Sequence, residues 1–403
     1  MEWIVKRSSE LYVSSSGLSK ASDQFGYGFP FLSYKDVFNN YYAPEKLNTL
    51  VNSTEKDRQK CSVKRGDVFL TRTSETTDEL GMSCVALKDY ENATFNGFTK
   101  RLRPLTEEIV PEYAAYFFRS SYFRAQCQSL ASLITRASLN DGMIRRFKIR
   151  FPKEKKCQEK IGKILLTYDS LIENNIKRIR ILEKMAENLY KEWFVRFHFP
   201  EHEKMEMENG LPKGWKWGKL GDIVNFLNGF AFKSQSFCAE GKFSIVTIKN
   251  VQADGFDGNN TDKILEIPSR MPKHCLLKEG DVLLSLTGNI GRVCRVLGSG
   301  YLLNQRVAKL KSERPLFCYC TFKSDYIYQS LNVISYGTAQ LNLSPVKALK
   351  IKLQIPTTEL MDRFEQQVEP VFAEIDNLQQ QNTLLARQRD LLLPRLMSGK
   401  LEV

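Results

Sequence analysis

Only three histidines occur in this 403-residue chain, and two of them, His198 and His202, lie four apart beside Glu201 and Glu203. On a helix that spacing would put two imidazoles on one face with carboxylates alongside, an arrangement able to hold a divalent metal. Pro200 stands between them and interrupts the helix that would align the rings, so the segment reads as a linker. The nine cysteines (61, 84, 127, 157, 238, 275, 294, 318 and 320) are scattered. None forms a Cys-x-x-Cys pair, and Cys318-x-Cys320 has no second pair at zinc-finger spacing, so free thiols in a reducing compartment are expected. Thr287-Gly288-Asn289-Ile290-Gly291 is glycine-rich but lacks the spacing of a dinucleotide or Walker loop, and reads as a hairpin loop. The sequence contains no Asp/Asn-Pro-Pro-Tyr/Phe adenine-methylation motif, no loop for S-adenosylmethionine or ATP, and no Pro-Asp…Asp/Glu-x-Lys nuclease arrangement. Its carboxylates fall mostly on helix faces, where solvated ion pairs are the default. The chain is therefore expected to catalyse nothing itself and to carry no cofactor or metal of its own.

What remains is binding. Lys and Arg total 59 against 46 Asp and Glu, a net charge of +13 at a pI of about 9.2. Such a surface favours polyanions, nucleic acid first and a membrane surface second. No run of about 18 apolar residues occurs and the start has no signal-peptide stretch, so a cytoplasmic protein without a membrane partner is expected. The length suits two or three domains, and 42% hydrophobic with 26% charged residues allows real cores.

The elements that position any binding residues are duplicated. Phe31-Leu32-Ser33-Tyr34-Lys35-Asp36-Val37 matches Ile245-Val246-Thr247-Ile248-Lys249-Asn250-Val251 at an offset of 214. Lys64-Arg65-Gly66-Asp67-Val68-Phe69-Leu70-Thr71 matches the segment from Lys278 to Ser285 at the same offset, as Trp3 does Trp217. Leu80-Gly81…Cys84…Leu87 meets Ile290-Gly291…Cys294…Leu297 at 210, and Arg136 to Asn140 meets Thr338 to Asn342 at 202. Order and spacing are kept, so the chain is an internal repeat. Each unit reads as short strands after Gly-Asp turns, with short helices over Tyr113 to Gln126 and Phe317 to Leu331.

After Pro152 the apolar period changes to seven. Leu165, Ile172, Ile179, Ala186 and Trp193 form one series, and Tyr168, Asn175, Leu182 and Leu189 the other. After Pro356 the same pattern runs through Val371, Leu378, Leu385 and Leu392, with Val368, Ile375, Asn382, Arg389 and Leu396. Both are coiled-coil seams, each about 40 residues and so roughly 60 Å long. Their asparagines are equivalent, Asn175 and Asn382 at an offset of 207, and Asp169 matches Asp376. A polar seam residue can fix register, in which case the helices pair antiparallel with Asn175 beside Asn382 near a pseudo-twofold axis; the alternative is that each asparagine sits at the seam's wet edge. The fold expected is α+β. Mixed domains over 1–152 and 213–355 are joined by long helices over 153–198 and 356–403, with a linker at 199–212.

Along its whole length the chain resembles the specificity (S) subunits of type I restriction-modification systems. The resemblance rests on the opening Pro212-Lys213-Gly214-Trp215-Lys216-Trp217…Leu220-Gly221-Asp222-Ile223 of the second unit and on Leu189-Tyr190-Lys191-Glu192-Trp193-Phe194-Val195-Arg196-Phe197 closing the first helix. The third and most specific signal is the run from Arg389 to Leu401 (RDLLLPRLMSGKL) closing the second helix. It implies two target-recognition domains, each reading half of a split double-stranded DNA site. The helices would be a rigid spacer and a platform for two methyltransferase (M) subunits, with restriction/translocase (R) subunits reached through the complex. S-adenosylmethionine, ATP and Mg2+ would belong to those partner subunits. A recognition subunit of a related restriction system and a non-catalytic coiled-coil adaptor are the alternatives. The first unit departs from the pattern in a short N-terminus and in residues 74–79, inserted where the second has only Asn289.

Reading bases takes bidentate groups, Arg or Lys for guanine and Asn or Gln for adenine, while Lys and Arg on phosphates hold register. In the second unit the candidates are Lys233, Asn289, Arg292, Gln305, Arg306 and Gln340. In the first they are Arg72, Thr73, Arg136, Ser138 and Asn140, with Lys100 and Arg101 for phosphates. The units agree in scaffold turns and disagree in these loops.

Overall fold

The computed structural model describes the chain except residues 75–78, 131, 134–136, 254, 260 and 336–341, and the backbone alone at 130, 132, 133 and 137. The candidates Arg136 and Gln340 lie outside the described residues. Two compact units result, 1–172 with 384–403, and 173–383. Each therefore takes one stretch of both long helices.

In the first unit, Trp3–Arg7 and Lys148–Pro152 close an antiparallel pair. A four-stranded antiparallel sheet runs in the order Tyr12–Ser16, Thr99–Pro104, Val68–Thr71, Ser83–Val85. A three-stranded sheet runs Thr49–Val51, Phe25–Leu32, Thr94–Phe95, its last pair parallel. The second unit repeats this strand for strand. Lys216–Lys219 pairs with Lys352–Ile355. Asn225–Asn228, Val307–Lys311, Val282–Ser285 and Val293–Arg295 make the four-stranded sheet. Asp262–Ile264, Phe243–Val246 and Tyr301–Leu303 make the three-stranded one, again with a parallel pair. Register is kept as well: Val68 faces Leu102 as Val282 faces Leu310, and Phe69 faces Cys84 as Leu283 faces Cys294.

The matched motifs are the turns that fix this register. Asp67 Oδ2 accepts from Lys64 N and Asp281 Oδ2 from Lys278 N, each at 2.8 Å. Gly66 and Gly280 sit at φ +88° and +82°, the left-handed region where a side chain is strained. Ser33 N donates to Asp36 Oδ2 as Thr247 N does to Asn250 Oδ1. The strands that follow, Val68–Thr71 and Val282–Ser285, are buried at every position. They are covered on both faces, which is why they read as unbroken apolar runs rather than alternating ones. Cys84 and Cys294 are core residues whose thiols burial pushes up, far from any thiolate.

The last sequence match shifts. Leu139 N donates to Arg72 O and Leu343 N to Leu286 O, both at 2.8 Å. Asn140 caps Asp141–Arg146 by accepting from Met143 N, as Ser344 caps Pro345–Ala348 by accepting from Lys347 N. The offset is therefore 204, not 202, and Ser138 corresponds to Asn342 rather than to Gln340. Leu343, buried at 2% exposure, fixes the alignment.

The long helices cover Lys155–Tyr190 and Thr358–Ser398. The second runs through Pro370 and Pro394, both on its exposed side. There water can take the carbonyls that each missing N–H frees. The first ends in a wide turn, Lys191–Val195, before Phe197 turns back at φ +62°. The helices run antiparallel. In the second unit Asn175 meets Asn382, Arg178 meets Glu374 and Tyr190 meets Phe364. In the first, Asp169 meets Arg389, and Ile161 and Leu165 share a core with Leu393 and Leu396. The helix starts dock alike: Gln158 Oε1 accepts from Val110 N, and Glu365 accepts from Leu316 N and Phe317 N. Each carboxamide or carboxylate thus takes N–H groups at the start of its domain's own helix. Large seam side chains are fully or nearly buried (Leu165, Val368, Ile375, Leu378 and Leu396), each contributing up to about 3 kcal/mol.

Residues 199–212, expected as a linker, fold. Met207–Glu208 pairs with Leu211–Pro212 across Asn209 (φ +51°) and Gly210 (φ +78°), the turn that Asn-Gly favours. Phe199 and Leu211, each 3% exposed, anchor the segment in the core of the second unit. His198 Nδ1 lies 3.0 Å from Glu192 Oε2, and His202 Nδ1 2.9 Å from Phe199 O. No helix among the described residues is long and apolar enough to cross a membrane.

Candidate nucleic-acid interface

In both units the loops that differ meet at one end of the four-stranded sheet. In the first, Arg72 is held by its backbone: its N donates to Phe98 O and its O accepts from Leu139 N. Thr73 then pairs with Ser138 in a small three-stranded sheet, and Tyr34 Oη donates to Thr73 O at 3.1 Å. The geometry brings Arg72, Thr73, Ser138 and Asn140 together around the turn that carries Phe98, which is 61% exposed. Ser138 and Asn140 are exposed, while Arg72 and Thr73 are half-buried. Asn140 spends its Oδ1 on the helix cap.

Lys100 and Arg101 do not belong to this surface, which corrects their reading as phosphate contacts. Both are 7% exposed. Lys100 Nζ donates to Ser16 Oγ (2.9 Å) and Asp141 Oδ2 (3.0 Å). Arg101 Nη1 donates to Ser62 O (2.7 Å), and its guanidinium lies 5.3 Å from the Phe95 ring centroid. Burial and the neighbouring Arg103 push its pKa down. Adjacent residues of a strand point to opposite faces, but here both faces are covered, so neither cation reaches solvent.

In the second unit Leu286 stands where Arg72 does: its N donates to Arg306 O and its O accepts from Leu343 N. Thr287 bridges to Asn342 as Thr73 does to Ser138. Asn289, Gln305 and Arg306 are exposed. Arg292 is half-buried, its Nη1 donating to Gln252 Oε1 at 2.7 Å, so it braces the hairpin rather than projecting. Lys233 is exposed on a separate loop at the start of the turn Ser234–Ser236. Beside Gln305 opens a groove of about 550 Å³, lined by Asn228, Gln305, Asn342, Ser344 and Lys347 among others. Thr287 Oγ1 is buried without a hydrogen-bond partner among the described residues. Asn228, Asn342 and Lys347 escaped the sequence reading; the helix cap at Ser344-Pro345 is the signal that would have set Asn342 opposite Ser138.

A family model described as the type I restriction modification DNA specificity domain matches residues 2–184 and again 212–383. The chain belongs to this family. The two matches are the two halves of the repeat, so this specificity subunit carries two DNA-specificity domains. It is 27% identical over 419 residues to the type I restriction enzyme MjaIX specificity subunit of Methanocaldococcus jannaschii, covering 100% of this chain and 94% of that one. It is 20% identical to the HindI specificity subunit of Haemophilus influenzae, covering 92% of this chain and 94% of that one. Among solved structures, the S subunit of a type I restriction-modification system from M. genitalium shares the fold, with a TM-score of 0.58 at 17% identity, over 98% of this chain and 96% of that one. DNA recognition is the role of the family, and the loops described above are where the two halves of this specificity subunit differ.

Its two helix asparagines form a direct contact: Asn175 Nδ2 donates to Asn382 Oδ1 at 3.0 Å, with Asn175 6% exposed. Asn175→Leu should strand Asn382 against an apolar neighbour and lower stability by about 1 kcal/mol. The double variant with Asn382→Leu should recover that loss while loosening register. Denaturant melts and cross-linking between the helices read both effects, and unchanged behaviour in all variants would remove the register role.

Proposed function

We propose that each domain reads one half of a bipartite double-stranded DNA site, that the antiparallel helices set the unread gap, and that they seat two methyltransferase subunits. The observation that carries this reading is the duplication itself. Strand order, ladder register and turn chemistry are kept between the halves, while side chains at the loop end differ: Arg72 against Leu286, Gly97-Phe98 against Gln305-Arg306, Ser138 against Asn342. Two readers on one frame diverge only where different bases must be met. The subunit supplies recognition; adenine methylation with S-adenosylmethionine belongs to the M subunits, and ATP- and Mg2+-dependent cleavage to R subunits. The net charge of +13 supports phosphate contact on both half-sites.

The test is to assemble the full chain with its methyltransferase subunit and map which adenines become methylated on random duplexes. Two short blocks at a fixed spacing are expected, with affinity falling steeply as salt rises. Methylation without sequence preference, or a single continuous block, would overturn the reading.

A further inference from the structure

Because the domains share one register, the groove of the second domain has a counterpart position in the first, and the two are chemically unlike. Asn228 pairs with Ala308 in the ladder where Ser16 pairs with Lys100. Gln305 precedes Arg306 in the turn where Gly97 precedes Phe98; in both turns an asparagine, Asn304 or Asn96, accepts from the N–H two residues on. Asn342 bridges Thr287 where Ser138 pairs with Thr73. Three carboxamides in the second domain thus replace a serine, a glycine and a serine in the first.

The space is handled differently as well. In the first domain Lys100 reaches across to Asp141 at 3.0 Å, and Ser14 Oγ and Ser16 Oγ join the same cluster. The ion pair closes the position. In the second domain the counterparts are Ala308 and Pro345, which form no such plug among the described residues, and a groove of about 550 Å³ lies at this position. The groove's amides are not spent on scaffold bonds among the described residues. Asn228 takes part through its main-chain O, which accepts from His274 Nε2 at 2.9 Å, and Gln305 through its main-chain N, which donates to Phe230 O. Asn342 takes part through its backbone bridge.

We propose that this amide-lined groove is where the second domain reads an adenine, and that the Lys100–Asp141 plug denies the first domain the same contact. A carboxamide offers a donor and an acceptor side by side, the complement of the adenine N6 amino group and N7 in the major groove. Lys347 at the rim supplies the positive charge for the adjoining phosphate. The inference rests on the half-site reading above and narrows it: one half-site depends on amide contacts in this groove, the other does not.

Selection of bound duplexes from a random library by the assembled full-length complex tests it, comparing the native chain with Asn342→Ala, Gln305→Ala and Gln305→Glu. Gln305 and Asn342 are exposed, so folding should be untouched, and a thermal melt checks this. The alanine variants should reduce discrimination at one adenine of one block by about tenfold, within the range of a bidentate contact. Gln305→Glu should move the preference at that position toward cytosine, whose N4 amino group donates to a carboxylate. The second block should not change. Both blocks intact in every variant, a loss shared equally by both, or an affected position that is not adenine would overturn the inference while leaving the bipartite reading in place. Absence of any selected sequence with the native chain would overturn both.

Discussion

Replacing Asp169 by alanine should lower the melting temperature of the first unit by roughly 6–12 °C. Asp169 and Arg389 form an ion pair between the two long helices, with side chains 10% and 14% exposed. Tyr116 Oη donates to the same carboxylate at 2.5 Å, and the Arg389 guanidinium lies 4.8 Å from the Tyr41 ring centroid. Removing the carboxylate leaves the Tyr116 hydroxyl without its acceptor and takes from the guanidinium its partner on the other helix, leaving it only Asp390 of its own helix. Losing one member of such a pair costs about 3–5 kcal/mol, and the lower end applies because neither partner is fully enclosed. For a unit of this size, 1 kcal/mol moves the melting point by about 2–4 °C. Asp169→Asn should fall between, keeping an acceptor for Tyr116 but not the charge. Scanning calorimetry that found the alanine variant within a degree of the native chain would show the pair to be dispensable. The counterpart Asp376 pairs instead with Arg295 of its own domain at 2.8 Å. Asp376→Ala should therefore loosen a domain from its helix rather than one helix from the other.

The second large effect concerns the gap. One heptad inserted after Asn175 and another before Asn382 keep the seam in phase and lengthen the helix pair by about 10.5 Å. On DNA that is about three base pairs, but three base pairs also turn the second half-site by roughly 100°, a rotation a heptad does not supply. Methylation at the native gap should collapse, with only partial recovery at a gap three longer. Three inserted heptads add about 31 Å, close to one turn of duplex, so activity should return at a gap nine to ten base pairs longer. The half-site sequences should be the same throughout. A gap that ignores helix length, or half-sites that change with it, would mean the helices are not the ruler.

Much of this was legible in the residues because the information was local. Gly66-Asp67 and Gly280-Asp281 demand one backbone conformation each, and a seven-residue period demands a paired helix. Both survive as sequence pattern whatever surrounds them. The prolines at 370 and 394 show the limit of local rules, since they are tolerated where their missing hydrogen bonds face water. The linker shows it too, since burial of Phe199 and Leu211 turned a polar, proline-bearing stretch into an anchored hairpin.

Lys100 and Arg101 mark the sharper boundary. As residue types they are phosphate ligands, but the sheet covers both faces of their strand, and Ser16, Asp141 and Ser62 take donors of theirs inside the fold. The shift from 202 to 204 in the repeat is of the same kind: either alignment sets a leucine opposite Leu139, the letters favour the one that also matches Asn140 with Asn342, and the cap at Ser344 with the bond from Leu343 N to Leu286 O decides for the other. The sequence by itself determined the duplication, the helix seam, its asparagines and the family, because repeats and periods are properties of order along the chain. The tertiary structure decided which of the described polar side chains face outward at the loop end, and that amides line a groove in one domain where an ion pair fills the position in the other. Exposure and pairing depend on what lies across the sheet, and the residue across the sheet is distant in sequence.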